Sequence, residues 1–286
     1  MTQPTILITG CSSGIGLCCA QGLVARGWRV FASVRREEDA AQLAGAEVLF
    51  LEQTDSASVQ ACAAEVLRRT AGKLDAVFCN AGLGVPGAVE DLPRDALRFQ
   101  FETNVFGTIE LINALLPAMR KQGHGKIMIN SSILGFAAMP YRGAYNASKY
   151  ALEGFADTLR QELYGSDIYV SLIEPGPIKS RFRAAAQAQF ARWVKPEASF
   201  HQAAYVAMAA RLAKPGVANP FTLGPEAVLD DVWRVLQAKR PAARYRVTKP
   251  TKVFWYLRRL LPTRWFDLAS LKGSGDEPGF VYGRKK

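Results

Sequence analysis

Histidine and cysteine are scarce in this chain, and neither is arranged as a metal site. His124 and His201 are the only histidines in 286 residues. The five cysteines, Cys11, Cys18, Cys19, Cys62 and Cys79, form no Cys-x-x-Cys pair and no Cys/His cluster, which excludes a zinc module and leaves no metal expected. An odd number with two adjacent is a poor disulfide framework, so reduced thiols and a cytoplasmic setting are expected. Cys11 lies in a glycine-rich loop, where a small buried hydrophobe is the expected role. No apolar run approaches the ~18–20 residues of a membrane span. The chain opens directly into Thr5-Ile6-Leu7-Ile8, without a basic leader or small-residue cleavage site, so no secretory signal is expected. Internal repeats and low-complexity tracts are also lacking, which removes repeat architectures.

What is present suits one large α/β domain. Hydrophobic residues make up 49% of the chain, enough to bury a substantial core. The formal charge of +11 is unevenly placed. From Lys239 to Lys286 there are 13 Lys/Arg against three acidic residues, whereas residues 1–238 hold 23 basic and 22 acidic. The body is neutral and the tail basic, so the overall charge does not point to nucleic acid.

Continuous apolar runs alternate with helical patterns. Strands are predicted at about Thr5–Thr9, Arg29–Val34, Glu47–Leu51, Ala76–Asn80, Lys126–Asn130 and Tyr169–Glu174, with a seventh near Arg244–Thr248. Such runs fit strands covered on both faces. Helices are predicted at Ile15–Arg26, stopped by Gly27; at Ser56–Thr70, capped by Asp55; at Asp95–Lys121, expected to bend or end at Pro117; and at Ala144–Tyr164. Repeated βα units imply a doubly wound parallel sheet. Residues 177–225 read as loops plus a short helix.

Thr9-Gly10-Cys11-Ser12-Ser13-Gly14-Ile15-Gly16 joins the first strand to the first helix. Glycines there allow a tight turn and close approach of backbone to a pyrophosphate, and the helix N-terminus offers free N–H groups. The second strand ends in Ser33-Val34 and is followed by Arg35-Arg36, with no acid to accept from a ribose 2′-hydroxyl. Guanidinium groups suit a 2′-phosphate, so NADP is expected over NAD. Glu52, ending the third strand, is a candidate neighbour of the adenine. Asn80-Ala81-Gly82, ending the fourth, falls where the ligand crevice of such a sheet lies.

Tyr145-Asn146-Ala147-Ser148-Lys149 places a phenol and an ammonium four apart on one face at a helix start. A free phenol, with a pKa of roughly 10, is a poor base, and a nearby cation is expected to lower that value. Ser132 follows the fifth strand and can hydrogen-bond a carbonyl or alcohol oxygen.

With Asn104 and Pro175-Gly176-Pro177-Ile178-Lys179-Ser180 added, residues 4–250 resemble the short-chain dehydrogenase/reductase family, a Rossmann-type three-layer fold. The resemblance implies that Tyr145 is the general acid in reduction or the base in oxidation. Lys149 would hold the nicotinamide ribose, Ser132 would orient the substrate oxygen, and Asn104 would hold a water leading from Lys149. Ile178 would meet the nicotinamide carboxamide through its backbone, with Pro175, Gly176 and Ser180 beside it. Glu52 stands where the family usually has Asp, and Ser180 where it has Thr; both touch contact details only. Tyr145–Gly154 is similar to the 17β-hydroxysteroid and retinol dehydrogenase branch. Ser171–Ile178, Phe221–Ala227 and Leu260-Leu261-Pro262 are similar to bacterial NADP(H)-dependent aldehyde reductases.

The expected function is therefore NADP(H)-dependent reduction of an apolar aldehyde or ketone. The alternatives are an alcohol, retinol or hydroxysteroid dehydrogenase running in the oxidative direction, and a non-catalytic NADP-binding redox sensor. Phe182, Phe190, Trp193, Phe200 and Phe221 are candidates for a substrate lid. Partners are expected to be a small apolar carbonyl or alcohol substrate and further copies of the chain, not nucleic acid. The basic segment 251–286 puts Val253, Leu257, Leu260 and Leu261 on one helical face beside Lys252, Arg258 and Arg259. That face is expected to pack over the pocket mouth or a dimer contact, ahead of peripheral contact with an anionic membrane.

Overall fold

Apolar strands alternating with amphipathic helices collapse into three layers. The computed structural model describes residues 3–213 and 220–274. The strands are β1 Thr5–Ile8, β2 Arg29–Val34, β3 Glu47–Phe50, β4 Ala76–Cys79, β5 His124–Asn130, β6 Asp167–Glu174 and β7 Arg244–Arg246. They pair in parallel in the order β3-β2-β1-β4-β5-β6-β7. The order reverses direction beside β1, which opens a crevice beyond the C-terminal ends of β1 and β4.

Side chains alternate across each strand, so each strand feeds two cores. Leu7, Phe31, Val77, Ile127, Ile129 and Leu172 face α2 (Ser56–Arg69), α4 (Gly107–Gln122) and α5 (Gly143–Glu162). Ile6, Ile8, Val30, Ala32, Phe78 and Met128 face α1 (Gly14–Val24) and α8 (Glu226–Gln237). Asp55 caps α2 by accepting from the Ala57 N–H at 3.0 Å, and Gly27, at φ +81°, turns the chain after α1. All five cysteines are free, and burial holds the Cys11 thiol well above its usual range, as suits a packing residue.

Three expectations about the chain before the tail need correction. The long helix expected over 95–121 is two helices, α3 (Arg94–Phe101) and α4, joined by a π turn at Glu102–Phe106. Pro117 lies inside α4 without ending it. The region after β6 holds two helices, α6 (Phe182–Trp193) and α7 (Gln202–Ala213), rather than one; residues 214–219 lie outside the described residues. These helices share a separate apolar cluster with Leu83, Val85, Ala96 and Tyr141.

The tail forms α9 (Lys249–Leu260) and α10 (Thr263–Gly273). Its inner face is not the expected one. Phe254, Leu257, Leu261 and Phe266 pack on Ile133, Leu134, Ala137 and Met139, while Val253 and Leu260 point outward. Leu257 and Leu261 lie inward as expected, but Phe254 and Phe266, not Val253 and Leu260, complete the buried face. The expected segment 251–286 continues past Ser274 outside the described residues.

Candidate active site

The β1–α1 loop is held against the neighbouring strand ends. Gly10 has φ +71°, and a Cβ there would lie 2.8 Å from the Ala81 Cα. A Cβ on Gly14 would lie 2.9 Å from the Ser180 Cβ, so the loop and the segment after β6 close on each other. The Thr9 hydroxyl accepts from the backbone N–H groups of Asn80 (3.0 Å) and Ala81 (2.9 Å). The Asn80 amide donates to the Thr9 carbonyl at 2.9 Å, and the Asn130 amide donates to Asn80 Oδ1 at 2.9 Å. Three strand ends are thereby tied together around Gly10–Gly16. Ser13 precedes α1 in an extended conformation without a side-chain capping bond, and the first turn holds no acid. The N–H groups of Gly14, Ile15 and Gly16 thus begin a helix with no internal counter-charge.

Arg35 and Arg36 follow β2 and are exposed. Arg36 pairs with Glu38 (2.8 Å) and Asp39 (3.5 Å). Arg35 has no ion pair among the described residues. The Glu52 carboxylate turns back into its own loop, accepting from the Thr54 N–H (3.1 Å) and hydroxyl (3.0 Å).

At the end of β5, Ser132 is extended, and its Oγ accepts from the Leu134 N–H at 3.1 Å. The same side chain hydrogen-bonds Tyr145. Tyr145 and Lys149 lie one turn apart on α5, with the Lys149 ammonium 5.7 Å from the centre of the Tyr145 ring. That ammonium donates to the Asn130 carbonyl at 2.6 Å. Burial pushes the Tyr145 phenol up to about 12, with the Ser132 hydrogen bond opposing it. Burial brings Lys149 down to about 8, against the charge of Glu153. The expected lowering of the phenol by the lysine is therefore not what the protein alone displays: desolvation sets the direction, and the ammonium is directed at a carbonyl.

Asn104 occupies the π turn. Its Oδ1 accepts from the Leu83 N–H, and its amide donates to the Leu83 carbonyl and to Ser148 Oγ, at 2.9, 2.9 and 3.1 Å. It faces Lys149 across Gly82, where a Cβ would be 3.2 Å from Asn104 Oδ1 and 3.8 Å from Lys149 Nζ. On the other side, the Pro175 carbonyl accepts from the Ile133 N–H at 2.8 Å. Gly176 packs so closely on Thr248 that a Cβ would meet its hydroxyl at 2.2 Å. Ile178 bridges to Leu223, and Ser180 Oγ accepts from the Phe182 N–H at the start of α6.

Of the five aromatic lid candidates, Phe182 reaches the site. Its ring stands edge-on to Tyr145 with centroids 5.3 Å apart. Phe190 packs on Tyr205 and Trp193 on Phe99, while Phe200 and Phe221 are exposed.

Sequence reading missed an ionic network behind Ser132. The Ser131 hydroxyl and the Glu153 carboxylate both lie against Gly135, where a Cβ would be 2.6 and 3.1 Å from them. Arg244 reaches Glu153 (3.2 Å), Asp157 (2.7 Å) and Glu174 (3.1 Å), and Arg246 reaches Glu174 (3.3 Å). Burial raises the Glu174 carboxyl to about 7, assisted by Glu153 and opposed by the arginines. A signal did exist: Glu174 follows the apolar Leu172-Ile173 at the buried end of β6, and Arg244 and Arg246, two apart on β7, fall on one face.

A family model described as short chain dehydrogenase matches residues 4–190. The oxidoreductase YbbO of Escherichia coli (strain K12) is 41% identical over 268 residues, 93% of each chain. Human 17-beta-hydroxysteroid dehydrogenase type 1 is 32% identical over 272 residues, 87% of this chain and 79% of that one. A short-chain dehydrogenase/reductase from Burkholderia phymatum, solved in complex with NAD, aligns over 90% of this chain and 92% of that one, with a TM-score of 0.76 and 25% identity. With the fold, the strand-end crevice and these matches in agreement, the chain belongs to the short-chain dehydrogenase/reductase family of oxidoreductases.

Proposed function

We propose that the protein is a single-domain, NADP(H)-dependent reductase of apolar aldehydes or ketones. The observation that carries this reading is the group formed by the buried Ser132 and Lys149 and the half-buried Tyr145 at the mouth of the strand-end crevice. The crevice suits a dinucleotide. The first turn of α1, uncapped and without acids, suits a pyrophosphate held by Gly10, Ser12, Ser13, Gly14, Ile15 and Gly16. Arg35 and Arg36 would take a 2′-phosphate, with Glu52 and Asn80-Ala81-Gly82 around the adenosine. Tyr145 and Lys149 would hold the nicotinamide ribose, and Pro175, Gly176, Ile178 and Ser180 the carboxamide side.

When bound, the nicotinamide supplies a hydride to the carbonyl carbon. The chain's own groups manage the oxygen. Ser132 donates a hydrogen bond that orients it. Tyr145, whose burial keeps it protonated near neutrality, delivers the phenolic proton as negative charge builds on that oxygen. The Lys149 ammonium supplies positive charge beside the resulting phenolate, which favours the charge-separated state in a dry site. Asn104 would help return a proton through water near Lys149. Phe182, against the Tyr145 ring, and the apolar cluster of Leu134, Met139, Phe254 and Leu257 support a substrate with an apolar body. The unpaired cysteines support a cytoplasmic setting.

The test is NADPH oxidation over aldehydes of graded chain length, retinals and ketosteroids. Turnover of at least one class, faster with NADPH than with NADH, is expected. Turnover confined to alcohols with oxidised cofactor would make the enzyme a dehydrogenase working in the other direction. Tight NADPH binding with no turnover of any carbonyl or alcohol would instead mean a redox sensor.

A further inference from the structure

The inner face of the tail helices is accounted for by the enzyme's own surface; the outer face is not. On α9, Lys249, Val253, Tyr256 and Leu260 recur at spacings of four, three and four, which places them on one stripe. Leu260 is 76% exposed, and Val253 and Tyr256 are more than half exposed. On α10, Arg264, Leu268 and Leu271 form a matching stripe beside Trp265, which is 65% exposed. The opposite side of α10 buries Phe266 and Ser270. Apolar residues of this size, collected on two consecutive helices, need an apolar partner.

Charge identifies that partner. Between Lys249 and Gly273 there are six basic residues and one acid, Asp267. Lys252 and Lys272 flank the apolar stripes, and Arg259 is held over the Trp255 ring at 3.7 Å. Two copies of the chain meeting through this face would set like charge against like. A surface that is anionic outside and hydrocarbon beneath satisfies both features at once. We propose that the outer face of α9–α10 docks in the interface of an anionic lipid bilayer, with the Trp265, Leu260 and Leu268 side chains below the headgroups. The inner face of the same pair packs on the loop after Ser132, in the apolar cluster against which Tyr145 also packs, so the docked helices share a cluster with the proposed proton donor.

The experiment is vesicle sedimentation of the full chain, which needs no turnover and is independent of the proposed reaction. Vesicles of phosphatidylcholine alone are compared with vesicles also containing phosphatidylglycerol. The protein is expected to pellet with the anionic vesicles at low salt, to stay in solution with neutral ones, and to be released by salt. Two variants, Leu260→Ser/Trp265→Ser/Leu268→Ser and Lys252→Gln/Arg264→Gln/Lys272→Gln, change exposed side chains and leave the inner packing untouched. Each should lower partitioning at least tenfold, since one basic residue near such a surface contributes about fivefold. The proposal is overturned if the full chain stays in the supernatant with anionic vesicles at low salt, or if both variants partition like the parent. It is equally overturned if the apolar variant abolishes a concentration-dependent dimer while lipid binding is absent, which would assign the face to a second copy.

Discussion

The Lys149 ammonium donates to the Asn130 carbonyl across 2.6 Å, joining α5 to the last residue of β5 while both are buried. Burial sets the Lys149 pKa at about 8, far below an unfolded lysine, whereas Tyr145 keeps its proton to about 12. Between pH 8 and roughly 10.4 the unfolded chain binds the proton that the folded chain has lost, so the Lys149 contribution to stability rises with pH. Activity should run the other way, because the cation is lost over the same window. kcat/KM for reduction should decline above about pH 8, while unfolding free energy, measured against Lys149→Met, should increase. Parallel movement of the two would rule out Lys149 as the titrating group.

Tyr145→Phe keeps the ring and its contact with Phe182 but removes the proton. kcat should drop by at least ~10²-fold, with NADPH affinity measured by fluorescence titration nearly unchanged. Turnover close to that of the parent would dismiss Tyr145 as the proton donor.

The two arginines after β2 should not be equivalent. Arg36 is already engaged with Glu38 and Asp39, whereas Arg35 has no ion pair among the described residues. A charge-assisted contact to a 2′-phosphate is worth ~1.5–3 kcal/mol. Arg35→Ala should therefore weaken NADPH binding by about 10- to 100-fold, Arg36→Ala by less, and neither should much affect NADH. Calorimetric titration with both cofactors decides this; equal losses for the two nucleotides would mean that the arginines are merely solvated.

Phe266 is 3% exposed and anchors α10 against Phe254 and the loop after Ser132. Phe266→Ala should reduce stability by ~3–5 kcal/mol if the cavity stays open, lowering the thermal midpoint. Because the same cluster includes Tyr145, KM for an apolar substrate should rise as well. A stable variant with unchanged KM would separate the tail from the substrate site.

Local patterns made much of this molecule legible before any coordinates. The strands were readable because Thr5–Ile8, Ala76–Cys79 and their partners are continuous apolar runs, as full burial demands. Ser132, Tyr145 and Lys149 were readable because their geometry follows from one strand end and one helical turn. The failures involve partners distant in sequence. Val253, Leu257, Leu260 and Leu261 form a genuine helical stripe, yet the burial of Phe254 and Phe266 is decided by Ile133–Met139. The Ala-rich α6 and α7 carry little periodicity, and only their joint packing around Phe190, Tyr205 and Met208 reveals them. Arg244 and Glu174 meet because β6 and β7 are adjacent, which no local pattern states.

The π turn at Glu102–Phe106 acts as a phase shifter in one nearly continuous rod. A π turn wraps one more residue than an α turn, and each residue of an α-helix advances the side chains by about 100°. Before the turn, Ala96 and Phe99 of α3 point to the cluster shared with α6 and α7; after it, Leu111, Ile112 and Leu115 of α4 point to the main sheet. Asn104 lies within the surplus loop of backbone, aimed at Leu83 and Ser148. Removing a single residue there would restore a regular helix and, in doing so, turn one half of the rod away from its own hydrophobic core.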